Sequence, residues 1–276
     1  MAGWRERMAE ALREEFIRLD RKVQAVPRTD RDEEKPVSSQ LEHSVASHTP
    51  LLLSQHLKLD QPNFEPQKMA SKCISSRSVD ARIADQRGAA MYENDAYDRY
   101  KKKRVKITEA MAEIQLASTQ GRHSKYYCAQ LQVRRDFPEL SADILGCMPN
   151  LDAFGPMWRC APALYIGCGN KTCVHFDMFE NMLCLLHGSK TVILWPPYYG
   201  DELVTASNCC SLDDLSAKVR AESITFKLRA GDALYLPACW WHMVSSPVGE
   251  VSSSISYWCY PPHFKRSVSE EGDNRR

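Results

Sequence analysis

The feature that most constrains this chain is a run of short apolar segments, beginning near Trp158 and punctuated by turns. APALYIGC, CVHFD, NMLCLLHG, KTVILWPP, ITFKLR, DALYLP, WHMVSS and VSSSISYWCY follow one another. Gly188-Ser189, Pro196-Pro197, Gly231-Asp232 and Pro247 to Gly249 supply the turns between them. Many short strands with regular turns argue for a sandwich or barrel. SLDDLSAKVRAE reads as one helix inserted between strands. Upstream, SVDARIADQRG alternates Val79, Ala81 and Ile83 against polar neighbours and ends at Gly88, a short half-buried strand and turn. Thr108 can cap a helix over EAMAEIQLA, and SADILGCM is compatible with another short helix.

The N-terminal part has a different texture. Residues 1–26 place Trp4, Met8, Leu12, Leu19 and Val23 at helical spacing among charges of both signs, a docking or partner helix rather than a membrane anchor. Pro27 to Pro50 is polar, with Pro, Ser and mixed charge, and reads as a linker. Little periodicity follows up to Lys72. The expected organisation is therefore a charged helix and poorly ordered linker over 1–72, a folded domain over 73–262, and a polar tail over 263–276.

A formal net charge of +1 gives no global field toward nucleic acid or membrane. No apolar run approaches the roughly 20 residues that a membrane span needs, and the N-terminus, charged from Arg5 onward, carries no signal-peptide core. The 11 cysteines are odd in number and include no Cys-x-x-Cys pair, which argues against a disulfide framework. Cys160, Cys168, Cys173, Cys184 and Cys259 read as small buried hydrophobes, and the compartment as cytosol or nucleus.

His175-Phe176-Asp177 is the central chemical feature. In a strand, residues i and i+2 project from one face, so an imidazole and a carboxylate point together while Phe176 packs on the other side. A third ligand from another strand would complete the two-histidine, one-carboxylate set associated with non-haem iron(II) oxygenases. His242, in GDALYLPACWWHMV, is the best candidate. A His-x-Asp alone arises by chance, and a histidine beside Trp240 and Trp241 is commonly a packed one. The joint placement of both histidines in the strand-rich half carries the weight, together with Lys190 between them. A lysine heading a strand such as KTVILWPP ordinarily snorkels to solvent. In an oxygenase its ammonium would neutralise the distal carboxylate of 2-oxoglutarate, because an unpaired buried charge is costly.

Taken in order, TCVHFDMFEN (Thr172 to Asn181), GSKTVILWPP (Gly188 to Pro197) and GDALYLPACWWH (Gly231 to His242) resemble the JmjC family of 2-oxoglutarate oxygenases. The resemblance covers roughly residues 75 to 262. It is closest to a small hydroxylase branch that includes an asparaginyl hydroxylase acting on the hypoxia factor and the tRNA wybutosine hydroxylase. It implies a double-stranded β-helix, the jelly-roll barrel of the cupins, with flanking helices. Iron(II) would be held by His175, Asp177 and His242. Lys190, Thr172 and Tyr127 would contact the distal carboxylate of 2-oxoglutarate, with Tyr126 a rival to Tyr127, and Asn181 would reach toward the metal-proximal carboxylate. In the last core strand Ser256 or a neighbour stands where some of these hydroxylases place an asparagine. About 14 residues follow Pro262, so the C-terminal helices through which many of these hydroxylases dimerise are expected to be absent, and the resemblance leaves the oligomeric state open.

The implied reaction takes O₂ and 2-oxoglutarate to succinate and CO₂ while a substrate C–H bond is hydroxylated, with Phe176, Trp195, Trp240 and Trp241 as core residues that could also keep the site dry. A protein side chain is the expected substrate. A tRNA base and a methylated histone lysine are alternatives within the class. YDRYKKKRVK places six basic residues near two tyrosines, which could touch RNA but reads first as a solvated helix or loop face. A catalytically silent cupin-like module and a zinc hydrolase are the readings from other classes.

Overall fold

The computed structural model describes residues 36–59, 64–73, 77–84, 102–155, 158–204 and 212–260. Its strands are β1 (Leu51–Leu53), β2 (Ser78–Ile83), β3 (Lys102–Lys106), β4 (Tyr126–Gln132), β5 (Trp158–Arg159), β6 (Ala163–Cys168), β7 (His175–Phe176), β8 (Glu180–His187), β9 (Ser189–Trp195), β10 (Ile224–Arg229), β11 (Ala233–Leu236), β12 (Trp241–Ser245) and β13 (Val251–Tyr260). The main helices are α1 (Val37–Ser47), α2 (Pro66–Lys72) and α3 (Ile107–Thr119).

Two sheets form the barrel. The larger runs β1-β11-β8-β13-β6-β4-β2-β3, with β5 also paired to β13, and the smaller runs β10-β9-β12-β7. Every strand pairing among the described residues is antiparallel. This is the jelly-roll architecture that the family resemblance implies, and it agrees with the sandwich or barrel expected from the strand pattern.

Strand alternation sorts the side chains into two environments. On β8, Met182, Cys184 and Leu186 join Met111, Ile114 and Ala117 of α3 in the large core under the helices. Leu183 and Leu185 point the other way and meet Val192, Leu194, Leu228 and Leu234 between the sheets. A third cluster, with Trp195, Trp241 and Met243, covers the outer face of the smaller sheet. Both faces of the central strands are therefore apolar, at roughly 1.5–3 kcal/mol per large side chain buried, which is why β8 reads as a continuous hydrophobic run.

The β8–β9 turn depends on Gly188. Its φ is +71°, and an added Cβ would overlap the Val251 carbonyl oxygen. Only glycine accommodates both conditions. The residue thereby sets the register that turns Lys190 inward.

Three expectations need correction. The N-terminal linker does not extend to residue 72: β1 pairs with β11, and Leu41, Leu51, Leu53 and Met69 enter the large core. These residues are too few and too scattered to give a periodic signal, and their burial arises through pairing with distant strands. SLDDLSAKVRAE divides into a 3₁₀ turn (Leu212–Asp214) and a short helix (Ala217–Ala221), because the Ser216 hydroxyl accepts from the Val219 N–H and starts a new helix. The described part of the basic segment, Lys102–Lys106, forms strand β3 rather than a helix or loop, with Val105 buried and Lys102, Lys103, Arg104 and Lys106 exposed. The proposed helix over residues 1–26 and the tail over 263–276 lie outside the described residues.

Candidate metal centre

The pairing of β7 with β12 builds the site. His175 stands opposite His242, and Phe176 opposite Trp241. Opposed residues in an antiparallel pair share a face, so the two imidazoles project together into the barrel, with ring centroids 4.2 Å apart. Phe176 and Trp241 meet edge to face on the other side at 4.9 Å. Asp177 lies just beyond β7, and its Oδ2 is 3.9 Å from His242 Nε2. One donor atom from each of His175, Asp177 and His242 falls within 4.8 Å of the others, and among the described residues this is the one such group of metal-binding side chains.

The rings are already oriented. Nδ1 of His175 lies 2.7 Å from the Cys173 carbonyl and Nδ1 of His242 lies 3.0 Å from the Trp240 carbonyl. A carbonyl only accepts, so each Nδ1 carries the proton and each Nε2 presents a lone pair inward. Burial first, and the neighbouring His242 second, hold His175 below the ordinary histidine range, which favours the neutral form a metal needs.

Lys190 lies on the inward face of β9 with Val192 and Leu194 and is 3% exposed. Its Nζ is 5.9 Å from the Tyr127 ring and 5.8 Å from the Tyr165 ring. Burial pushes its ammonium down to about 8, and no acidic group among the described residues pairs with it. A buried cation flanked by aromatic faces implies an anionic ligand as its counter-ion.

The remaining candidates distribute as follows. Tyr127 is buried beside Tyr165 and shares the inward face with Lys190; burial raises its phenol to about 12, so it stays a donor at neutral pH. Tyr126 faces the helices, where its hydroxyl donates to Glu109. The Thr172 hydroxyl oxygen accepts from the Val244 N–H at 3.0 Å, which leaves its own O–H to donate. Asn181 is 5% exposed, and its Oδ1 has no hydrogen-bond partner. Ser256 lies buried between Ala163 and Leu183.

Several residues were not anticipated. Ser254 Oγ and Trp258 Nε1 are buried without a hydrogen-bond partner, and Trp258 stands opposite Asn181 across the β8–β13 pair. By alternation, Ser254, Ser256 and Trp258 share the inward face, while Ile255, Tyr257 and Cys259 join the outer core. The alternation of serine with apolar residues in SSSISYW held this signal, but serine ordinarily suggests solvent. Arg82 is also buried, opposite Tyr127, and its charge contributes to keeping His175 neutral.

These observations test whether the residues suit iron and a 2-oxo diacid. Two oriented imidazoles and one carboxylate match in kind the two-histidine, one-carboxylate donor set associated with non-haem iron. The buried ammonium, the Tyr127 and Thr172 hydroxyls, the Ser254 hydroxyl and the Trp258 indole N–H are donors that would complement a small dianion. The residues fit. A separate surface depression of about 360 Å³, lined by Arg77, Ser78, Asp80, Arg104, Arg135 and Asp136, has its arginines paired with Glu139, Asp80 and Asp136 and is not part of this centre.

Fold and site together define a cupin-type barrel with a two-histidine, one-carboxylate centre. The sequence profile described as a cupin-like domain matches residues 37–265, and the chain belongs to this family, on the JmjC side of it. It is 34% identical over 119 residues to lysine-specific demethylase JMJ31 of Arabidopsis thaliana (38% of this chain, 21% of that protein). It is 29% identical over 188 residues to Jumonji C domain-containing protein 5 of Drosophila melanogaster (60% and 44%). It is 28% identical over 161 residues to tRNA wybutosine-synthesizing protein 5 of Homo sapiens (50% and 48%). The matches thus span from about a fifth to about half of these curated relatives. No helix among the described residues is long and apolar enough to cross a membrane.

Proposed function

We propose that the chain is an iron(II)- and 2-oxoglutarate-dependent dioxygenase that hydroxylates a protein side chain. The observation that carries this reading is Lys190: a buried ammonium without a carboxylate partner among the described residues, in the same barrel interior as the His175–Asp177–His242 group. A metal site alone would suit a zinc hydrolase equally, but such an enzyme has no use for that charge.

Iron, when bound, would activate O₂ and couple decarboxylation of 2-oxoglutarate to oxidation of a substrate C–H bond. The chain's own residues would bind and orient. His175, Asp177 and His242 would hold the iron through two imidazole nitrogens and one carboxylate oxygen. Lys190, Tyr127 and Thr172 would hold the distal carboxylate, with Asn181 and Ser256 nearer the metal. Phe176 and Trp241 back the short strands and fix the histidines from outside the barrel.

A tRNA base is the second substrate reading, supported by the relative named for wybutosine synthesis and by exposed Lys102, Lys103, Arg104 and Lys106 on β3. Against it, Arg104 pairs with Asp80 and Lys103 with Glu109, and the net charge is only +1, so the field offered to a polyanion is weak. The relative named a lysine-specific demethylase keeps a methylated lysine as a third.

The test is twofold. Iron-dependent succinate release from 2-oxoglutarate separates an oxygenase from a silent cupin module. Mass spectrometry of protein and tRNA from cells with and without the enzyme then seeks the added oxygen atom. Its appearance in peptides supports the proposal; in tRNA alone, it favours the second reading.

A further inference from the structure

Glu180 is the most deeply buried carboxylate among the described residues, 1% exposed against 7% for Asp136 and 6% for Asp232. It opens β8, three residues after Asp177. Its Oε2 accepts from the Tyr235 hydroxyl at 2.7 Å and from the Ala238 N–H at 3.1 Å, and its Oε1 lies 3.6 Å from His48 Nδ1. A carboxylate in so dry a place is costly, and an apolar side chain there would fill the core more cheaply.

Ala238 belongs to the Pro237–Trp240 turn that leads β11 into β12, and this turn touches the metal centre from two directions. The Cys239 N–H donates to the Asp177 carbonyl at 2.7 Å, and the Trp240 carbonyl accepts from His242 Nδ1 at 3.0 Å. Cys239 has a φ of +64°, a strained conformation for a residue with a side chain, so the turn must be held from outside. Glu180 holds it at Ala238. His48, at the end of α1, holds it at Trp240, whose indole N–H donates to the His48 carbonyl at 3.0 Å.

We infer that Glu180 is a positioning residue for the metal centre. By fixing Ala238 it fixes Cys239 and Trp240, and through them the spacing of Asp177 and His242. This inference rests on reading the triad as a metal site.

The test measures binding of Co(II) alone to the metal-free full chain, by calorimetry and by the visible absorption of the bound ion. Wild type should bind one Co(II). Glu180→Ala should bind at least about 10-fold more weakly, the range seen when groups that orient metal ligands are removed. Glu180→Gln should stay within about 3-fold of wild type, because one amide oxygen can accept from both Tyr235 and Ala238. A folded Glu180→Ala protein with wild-type affinity would overturn the inference, as would Glu180→Gln binding as weakly as Glu180→Ala. If Glu180→Ala does not fold, Tyr235→Phe decides: it keeps the carboxylate and removes one donor, and a several-fold loss supports the clamp whereas unchanged affinity overturns it. Failure of wild type to bind Co(II) would instead strike at the triad itself, so the two failures are separable.

Discussion

His175 and His242 face each other directly across the β7–β12 pair although 67 positions separate them in the chain, and the antiparallel register alone brings their imidazoles together. Asp177 joins them from just past the end of β7. Replacing Asp177 with Ala removes a partly exposed carboxylate outside any strand, so the fold should survive. Iron-dependent succinate release should fall at least about 100-fold, beyond the effect of losing a group that merely orients a ligand. Undiminished release with an unchanged circular dichroism spectrum would refute the ligand assignment.

Lys190 should destabilise the ligand-free protein. Its ammonium is held near 8 by burial, against about 10.5 in the unfolded chain. Between those values the unfolded state binds more protons, so stability rises with pH across roughly 8 to 10.5. Below about pH 8 the full penalty applies, about 3 kcal/mol. Lys190→Met should therefore be more stable than wild type at pH 7 in denaturant titrations, with the gap closing toward pH 10 and on adding 2-oxoglutarate with metal to wild type. A ligand-free wild type that is the more stable of the two at pH 7 would contradict the account.

Tyr127 and Tyr126 are neighbours with opposite fates, one facing Lys190 and the other Glu109 on α3. Tyr127→Phe should raise the 2-oxoglutarate requirement several-fold, on the order of one hydrogen bond to a charged group. Tyr126→Phe should leave it unchanged. Apparent affinities from succinate release at varied co-substrate distinguish them, and equal effects would show that neither hydroxyl acts there.

Gly188 tests the link between turn and site. Gly188→Ala combines a positive φ with overlap on the Val251 carbonyl, and should cost on the order of 2–4 kcal/mol and weaken 2-oxoglutarate binding. Gly146→Ala meets nothing within 4 Å and lies at a helix end, so it should change the thermal midpoint little. Equal midpoints for both variants would remove Gly188 from the argument.

Much of this was legible in the chain because the informative signals are local. His175 and Asp177 sit two residues apart, Lys190 follows directly on its turn, and the strand sequence beyond Trp158 implies a sandwich or barrel. The rest depends on pairing. Leu51 and Leu53 look like an isolated apolar patch until β11 lies beside them. Ser254 and Ser256 look solvent-facing until β6 and β8 enclose both sides of β13. Glu180 and Arg82 are charged residues of types that composition places outside, and only the closed barrel reveals them as buried.

The most direct measurement is calorimetric titration of 2-oxoglutarate into the anaerobic, iron(II)-loaded protein and its Lys190→Ala and Asp177→Ala variants. One equivalent should bind wild type, binding should weaken sharply without the Lys190 ammonium, and it should all but vanish without the Asp177 carboxylate and the iron it helps to hold. Binding to wild type that neither substitution alters, or no binding at all, would contradict the account.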